Sequence, residues 1–285
     1  MSEHSTAPAQ PKTKKAHRYH RYHIAVAGLA TVSFALGTAA GAAVLACLTT
    51  SSTTAAAANC TVNGTAAPAL NGSILPTSLR PVILMVGDSI IEQAAGVSLH
   101  GFQALLSKDY IHRADVINSG RSAWTTRSWL PTVPALVQEW AARPPSLVII
   151  GLGTNDARLP NATNDVPPDE YKANLEAMVH LFLDAFPATK LLLLTPAVTD
   201  DDIFVDRAYL NARVGEYANY CTQVGRRLDI PVINFWTLLQ GAQKTVLSDG
   251  LHLSLAGNEF YHNQILAAIA TSYPQLTPRA LPGRP

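Results

Sequence analysis

Charge is scarce in this chain of 285 residues. Lysine, arginine, aspartate and glutamate make up 14% of it, and 21 basic against 20 acidic side chains leave a formal net charge of +1. That balance leaves no basic face to follow a phosphate backbone, so nucleic acid is not expected as a partner. Cysteine is scarcer still. Cys47, Cys60 and Cys221 are three scattered residues, an odd number that excludes a disulfide framework. Cys221 falls in a helical stretch and reads as a small buried apolar residue. No Cys-x-x-Cys and no His-Glu-x-x-His occurs, so no metal and no cofactor is expected. Gly-x-Ser-x-Gly is missing as well, which removes the nucleophile elbow of the α/β-hydrolase scaffold.

One long apolar run stands against this background. Residues 24–48, IAVAGLATVSFALGTAAGAAVLACL, contain neither charge nor proline. About 20 apolar residues suffice to cross a bilayer core. Lys12, Lys14, Lys15, Arg18 and Arg21 precede the run and favour a cytosolic N-terminus. The expectation is a basic cytosolic tail over 1–23 and a transmembrane signal anchor over 24–48. A flexible stalk over 49–79 would follow, then a folded domain over 80–273 and an unpacked tail over 274–285. Such a chain is a single-pass type II membrane protein with its domain lumenal or extracellular. The alternative is secretion after signal cleavage near TTAAAAN (53–59), but the run is about twice the usual 7–15-residue signal core. Asn59, Asn63, Asn71 and Asn161 each begin an N-glycosylation tripeptide, which fits the same topology.

Beyond the stalk, apolar runs alternate with amphipathic ones. Strands are expected over 82–88, 114–120, 146–153, 190–197 and 230–236. Helical stretches between them begin near 102, 132, 169 and 210, and a last one covers 258–273. Strands apolar on both sides and separated by helices indicate a parallel sheet covered on both faces. The expected fold is α/β, a three-layer α/β/α sandwich around a five-stranded parallel sheet of flavodoxin-like type. Reactive groups in such a fold gather beyond the carboxyl ends of the strands.

The polar residues obey that rule. The first strand ends at Gly87-Asp88-Ser89, the second at Asn118-Ser119-Gly120 and the third at Gly153-Thr154-Asn155-Asp156. Ser248-Asp249-Gly250-Leu251-His252 follows the fifth. Each has a bland reading: Ser89 as a helix cap, Gly120 as a turn, Asn155 and Asp156 as an Asx-turn, Asp249-Gly250 as a turn pair. Together they fill every role of one mechanism. Ser89 supplies a hydroxyl nucleophile, His252 a base, and Asp249 a carboxylate to orient the imidazole. The Ser89 and Gly120 backbone amides and the Asn155 side chain supply donors for an oxyanion hole.

These four blocks resemble the SGNH, or GDSL, hydrolase superfamily, and most of all its isoamyl acetate-hydrolysing esterase branch. The resemblance spans about residues 82–270 and is most specific in LSDGLHLSLAGNEFY (247–261). It implies a serine esterase acting on a small ester, with short acyl or acetyl groups, through an acyl-enzyme. An acyltransferase or lysophospholipase-type enzyme with the same triad, or a non-catalytic anchored binding domain, are the alternatives. Two blocks depart from the branch. Ile91-Glu92-Gln93 follow GDSI where GDSITQ is usual, and NSGRSAW shifts Arg121 and Trp124 from their usual places. Both departures are expected to line the acyl or alcohol pocket.

Overall fold

Leucine and β-branched residues dominate the runs that pair into the sheet. The structure, a computed structural model, describes residues 79–160, 162–203 and 208–283. Strands β1 (Val82–Gly87), β2 (Asp115–Gly120), β3 (Leu147–Gly151), β4 (Lys190–Leu194) and β5 (Val232–Ile233) lie parallel in the order β2-β1-β3-β4-β5. This is the five-stranded arrangement expected. The order reverses beside β1, and the crevice at that reversal is where such sheets bind ligands.

Alternation along each strand builds two cores. Ile83 and Met85 of β1, Leu147 and Ile149 of β3, and Leu192 and Leu194 of β4 face one way. They meet Phe102 and Leu106 of α2 (Phe102–Asp109) and Tyr261, Ile265 and Ile269 of α9 (Leu255–Ser272). Val82, Leu84 and Val86, with Val148, Ile150, Leu191 and Leu193, face the other way. There they meet α4 (Val133–Trp140), α5 (Pro168–Ala185) and α6 (Asn211–Arg227). Cys221 is one of the buried residues on this second face. Each fully buried aliphatic side chain stabilises the fold by roughly 1.5–3 kcal/mol.

Several boundaries differ from the expected ones, among them β4, which ends at Leu194 and not at 197. Strand β3 stops early, because Gly153 turns the backbone to a φ of +128°. Strand β5 shrinks to two residues. Pro231 has no N–H to add to the ladder, and Asn234 caps α7 (Phe235–Leu238) by accepting the Thr237 N–H, so the chain bends away. The segment expected as an unpacked tail is packed. Leu276 and Leu281 are buried, the Tyr110 hydroxyl donates to the Leu276 carbonyl at 2.9 Å, and Arg113 donates to the Leu281 carbonyl. Its leucines are too sparse to show periodicity, yet they close the edge of the first core.

The expected basic tail over 1–23, the anchor and most of the stalk, together with Asn59, Asn63, Asn71 and Asn161, lie outside the described residues. Among the described residues no helix is long and apolar enough to cross a membrane.

Candidate active site

Strand β1 passes directly into α1 (Ser89–Gln93), and the junction answers which residue caps that helix. Asp88 does so: its Oδ1 accepts the Ile90 N–H at 2.9 Å. The Ser89 hydroxyl is thereby left for another partner. That partner is His252, whose Nε2 lies 3.1 Å from the serine Oγ across 163 residues of sequence. The other ring nitrogen, Nδ1, lies 2.8 Å from Asp249 Oδ2. An ionised carboxylate can only accept, so Nδ1 carries the proton and Nε2 is the acceptor facing Ser89.

The loop that carries Asp249 and His252 is closed upon itself. Leu247 and Leu253 bridge antiparallel, and Ser248 N–H donates to the His252 carbonyl at 2.8 Å. Gly250, at φ +89°, makes the reversal that an L side chain resists. The turn also directs two backbone amides, those of Leu251 and His252, onto Asp249 Oδ1 at 3.0 and 2.7 Å. Partial burial pushes the Asp249 carboxyl upward. The His252 ring and the two amides outweigh it and hold that carboxyl below its ordinary range. The carboxylate therefore stays ionised while it orients the imidazole.

Close backbone packing sets the opposite wall. Gly87, Gly120 and Gly151 end β1, β2 and β3 side by side. Helix α1 lies so close to this row that a Cβ on Gly120 would come within 2.1 Å of the Glu92 nitrogen, and one on Gly87 within 2.2 Å of Ile91 Cγ1. The bare position at Gly120 admits the α1 backbone. Its N–H donates to Asn118 Oδ1 at 2.8 Å, while Asn118 Nδ2 donates to the Ile91 carbonyl at 2.6 Å.

Asn155 is buried and held from both sides. Its Nδ2 donates to the Trp124 carbonyl at 3.0 Å, and its Oδ1 accepts from the Tyr209 hydroxyl at 2.8 Å. Asp156, next in sequence, accepts from the Thr126 N–H and hydroxyl at the start of α3 (Thr126–Trp129). Burial pushes Asp156 up to about 7, against the Thr126 bonds and with a further upward push from Asp88. Burial likewise pushes Asp88 up to about 6, against its bond to Ile90 and the attraction of His252.

The two departures in the motifs meet in space. The Glu92 carboxylate accepts the Ser122 N–H, which ties α1 to the loop after β2. Glu92, Arg121, Trp124 and Trp129 line a cavity of about 670 Å³ beside Gly120. Ile91 is different. It is buried in the first core against the glycine row and is a packing residue. Arg127, which follows the same motif, pairs with Glu170.

Ser89, Asp249 and His252 are thus drawn into one hydrogen-bonded line. Gly120 ends β2 and Asn155 lies in the loop after β3, the first with its N–H engaged and the second with one Nδ2 hydrogen engaged. Sequence reasoning missed Asn118, Trp124 and Tyr209 as anchors of those amides. Asn118 stood inside a motif and was within reach, but nothing marks Tyr209, 54 residues from Asn155.

Several known proteins resemble this chain. The profile of the GDSL-like lipase/acylhydrolase family matches residues 85–260. An isoamyl acetate-hydrolyzing esterase 1 homolog from Homo sapiens is 34% identical over 217 residues, covering 70% of this chain and 87% of that protein. The isoamyl acetate-hydrolyzing esterase of Schizosaccharomyces pombe is 30% identical over 205 residues, covering 70% and 79%. Among solved structures, a lipase/acylhydrolase from Enterococcus faecalis shares the fold. Its TM-score is 0.54 at 24% identity, over 72% of this chain and 99% of that one.

Proposed function

From the premise that this chain belongs to the GDSL-like lipase/acylhydrolase family and is a carboxylic ester hydrolase, we propose that it cleaves short-chain acyl or acetyl esters with Ser89 as nucleophile. The observation that carries the reading is the line Ser89 Oγ, His252 Nε2, His252 Nδ1, Asp249 Oδ2, with steps of 3.1 and 2.8 Å.

Ser89 Oγ attacks the ester carbonyl carbon while His252 Nε2 takes its proton, and the carbonyl electron pair moves onto oxygen. The Ser89 N–H and the Asn155 amide receive that oxyanion, and Gly120 N–H joins them by exchanging Asn118 Oδ1 for it. Collapse of the adduct breaks the bond to the alcohol, which leaves with the proton from His252. Water then attacks the acyl-enzyme by the same route, and Ser89 is regenerated. Asp249 stabilises the imidazolium at each stage without taking its proton. The acetyl preference draws on the relatives named for isoamyl acetate hydrolysis.

The test is Ser89→Ala in the full chain. Turnover of p-nitrophenyl acetate should vanish, and an alkyl fluorophosphonate should label the wild type at Ser89 and leave the variant unlabelled. Full turnover by the variant would overturn the nucleophile. We also propose that residues 24–48 remain as a membrane anchor, with residues 80–273 on the lumenal or outer side. Release of the full chain from membranes by alkaline carbonate would overturn that part.

A further inference from the structure

We infer that Tyr209 is a positioning residue for ester cleavage, holding the Asn155 side chain so that its nitrogen, not its oxygen, is turned to the reacting carbonyl. The inference rests on the oxyanion reading of Asn155 given above.

A primary amide has two orientations of nearly equal shape, related by a half-turn. Only one is useful here. The nitrogen end carries two donors, and the oxygen end would repel a developing oxyanion. At Asn155 the choice follows from its two neighbours. The Trp124 carbonyl has no hydrogen and can only accept, so the contact at 3.0 Å must come from Nδ2. That places Oδ1 at the Tyr209 hydroxyl, 2.8 Å away, and obliges the phenol to donate. One Nδ2 hydrogen is spent on Trp124 and the second remains for an incoming oxygen. Remove the phenol, and the buried Oδ1 loses its donor at that side. The amide is then held in one orientation by a single bond instead of two.

Tyr209 is built to be rigid. It is buried, its neighbour Ala208 accepts the Leu159 N–H at 2.8 Å, and the Arg158 guanidinium lies 5.1 Å from its ring centre. It therefore links the segment before α6 to the loop after β3. The state of Gly120 raises the weight on this link. With the Gly120 N–H committed to Asn118, the Asn155 amide is the donor that, beside the Ser89 N–H, needs no partner exchange to meet an oxyanion.

The experiment is a double-mutant cycle in the full chain on p-nitrophenyl acetate. Tyr209→Phe should lower kcat by roughly ten- to hundred-fold, less than the 10²–10³ typical of losing an oxyanion donor outright, with KM within about twofold. In an Asn155→Ala background the same change should lower kcat by no more than about twofold, because the group it orients is gone. An alkyl boronic acid, which forms a tetrahedral adduct on Ser89, should lose affinity for Tyr209→Phe by the same factor as kcat. Its inhibition constant does not depend on what fraction of the variant folds. Unchanged kcat and boronate affinity in Tyr209→Phe overturn the inference, as does an equal loss in both backgrounds. Should Asn155→Ala itself leave kcat intact, the oxyanion reading falls first. A large loss in Asn155→Ala beside a silent Tyr209→Phe removes the inference alone.

Discussion

Asp249 and His252 sit three residues apart on one turn, with Asp249 half exposed, and that turn supplies most of its own hydrogen bonds. Ser89 and Asn155 face them from strand ends that are buried and tied across three strands and two loops. One wall of the site is local and wet, and the other is tertiary and dry. The difference shows where each kind of chemistry is affordable. A carboxylate that must stay ionised beside an imidazole gains from water and backbone amides. A donor that must not reorient during reaction gains from buried partners that fix it beforehand. Asp88 and Asp156 show the cost of the dry wall, since both carboxyls are forced well above the ordinary carboxylate range.

Breaking the wet wall should cost catalysis and leave the fold alone. His252→Ala should lower kcat by on the order of 10⁶, and Asp249→Ala by about 10⁴, since the imidazole then survives but is no longer oriented. Thermal unfolding should show both within a few degrees of wild type. A large drop in the melting midpoint would mean that the loop also braces the core.

Breaking the dry wall should cost stability first. Trp129 is fully buried and its indole N–H donates to the Gly87 carbonyl at 2.9 Å, at the root of the serine turn. Trp129→Ala should cost about 3–5 kcal/mol in denaturant unfolding, with kcat falling as the turn loosens. An effect below about 1 kcal/mol would show that the wall relaxes around the gap.

The buried carboxylates also separate the walls by pH. Asp88 and Asp156 have folded-state values raised to about 6 and about 7, above their ordinary 3.8. Between those limits the folded state binds more protons than the unfolded one, so stability is fullest below pH 4 on this account and falls as pH rises through 6 and 7. The pair titrates together, because Asp88 adds to the shift of Asp156. Asp156→Asn keeps an oxygen for Thr126 and removes one titration. Melting midpoints measured from pH 5 to 8 should therefore slope less steeply in the variant. An unchanged slope would place the titration elsewhere.

The smallest effect belongs to the rim. Ala123 sits at φ +62° in the exposed loop that ends at Trp124, a conformation costly for any residue with a Cβ. Ala123→Gly should raise stability by about 1 kcal/mol or less and leave kcat unchanged. A fall in kcat would show that strain in this loop helps to place the Trp124 carbonyl against Asn155.

Much of this architecture was open to reading from residues alone. The central strands announced themselves because both faces of β1, β3 and β4 are buried, which demands unbroken apolar runs such as LMVG in β1 and LLLL in β4. The pairing of Asp249 with His252 was equally open, since a three-residue spacing on a Gly turn brings the two together with little help. Ser89 was placed at a strand end by the same logic, although its neighbour Asp88, not the serine, turned out to cap α1. What failed was context. The sequence treated Ile91 as part of a pocket, whereas the glycine row draws α1 onto the sheet and buries it. Pro274 to Leu281 carried too few apolar residues to signal packing, and only the edge of the first core explains why they are covered.

Local chemistry and periodicity thus determine the strands, the long helices and the residues that can react, because those depend on neighbours a few positions away. The tertiary structure decides which of those residues are free to react. It commits the Gly120 amide to Asn118, turns the Asn155 amide between Trp124 and Tyr209, and raises two buried carboxyls. The partners of Asn155, and the Ile91 carbonyl that holds Asn118 in place, come from distant parts of the chain, and the raised carboxyls depend on water being excluded; neither is written in the spacing of the residues concerned.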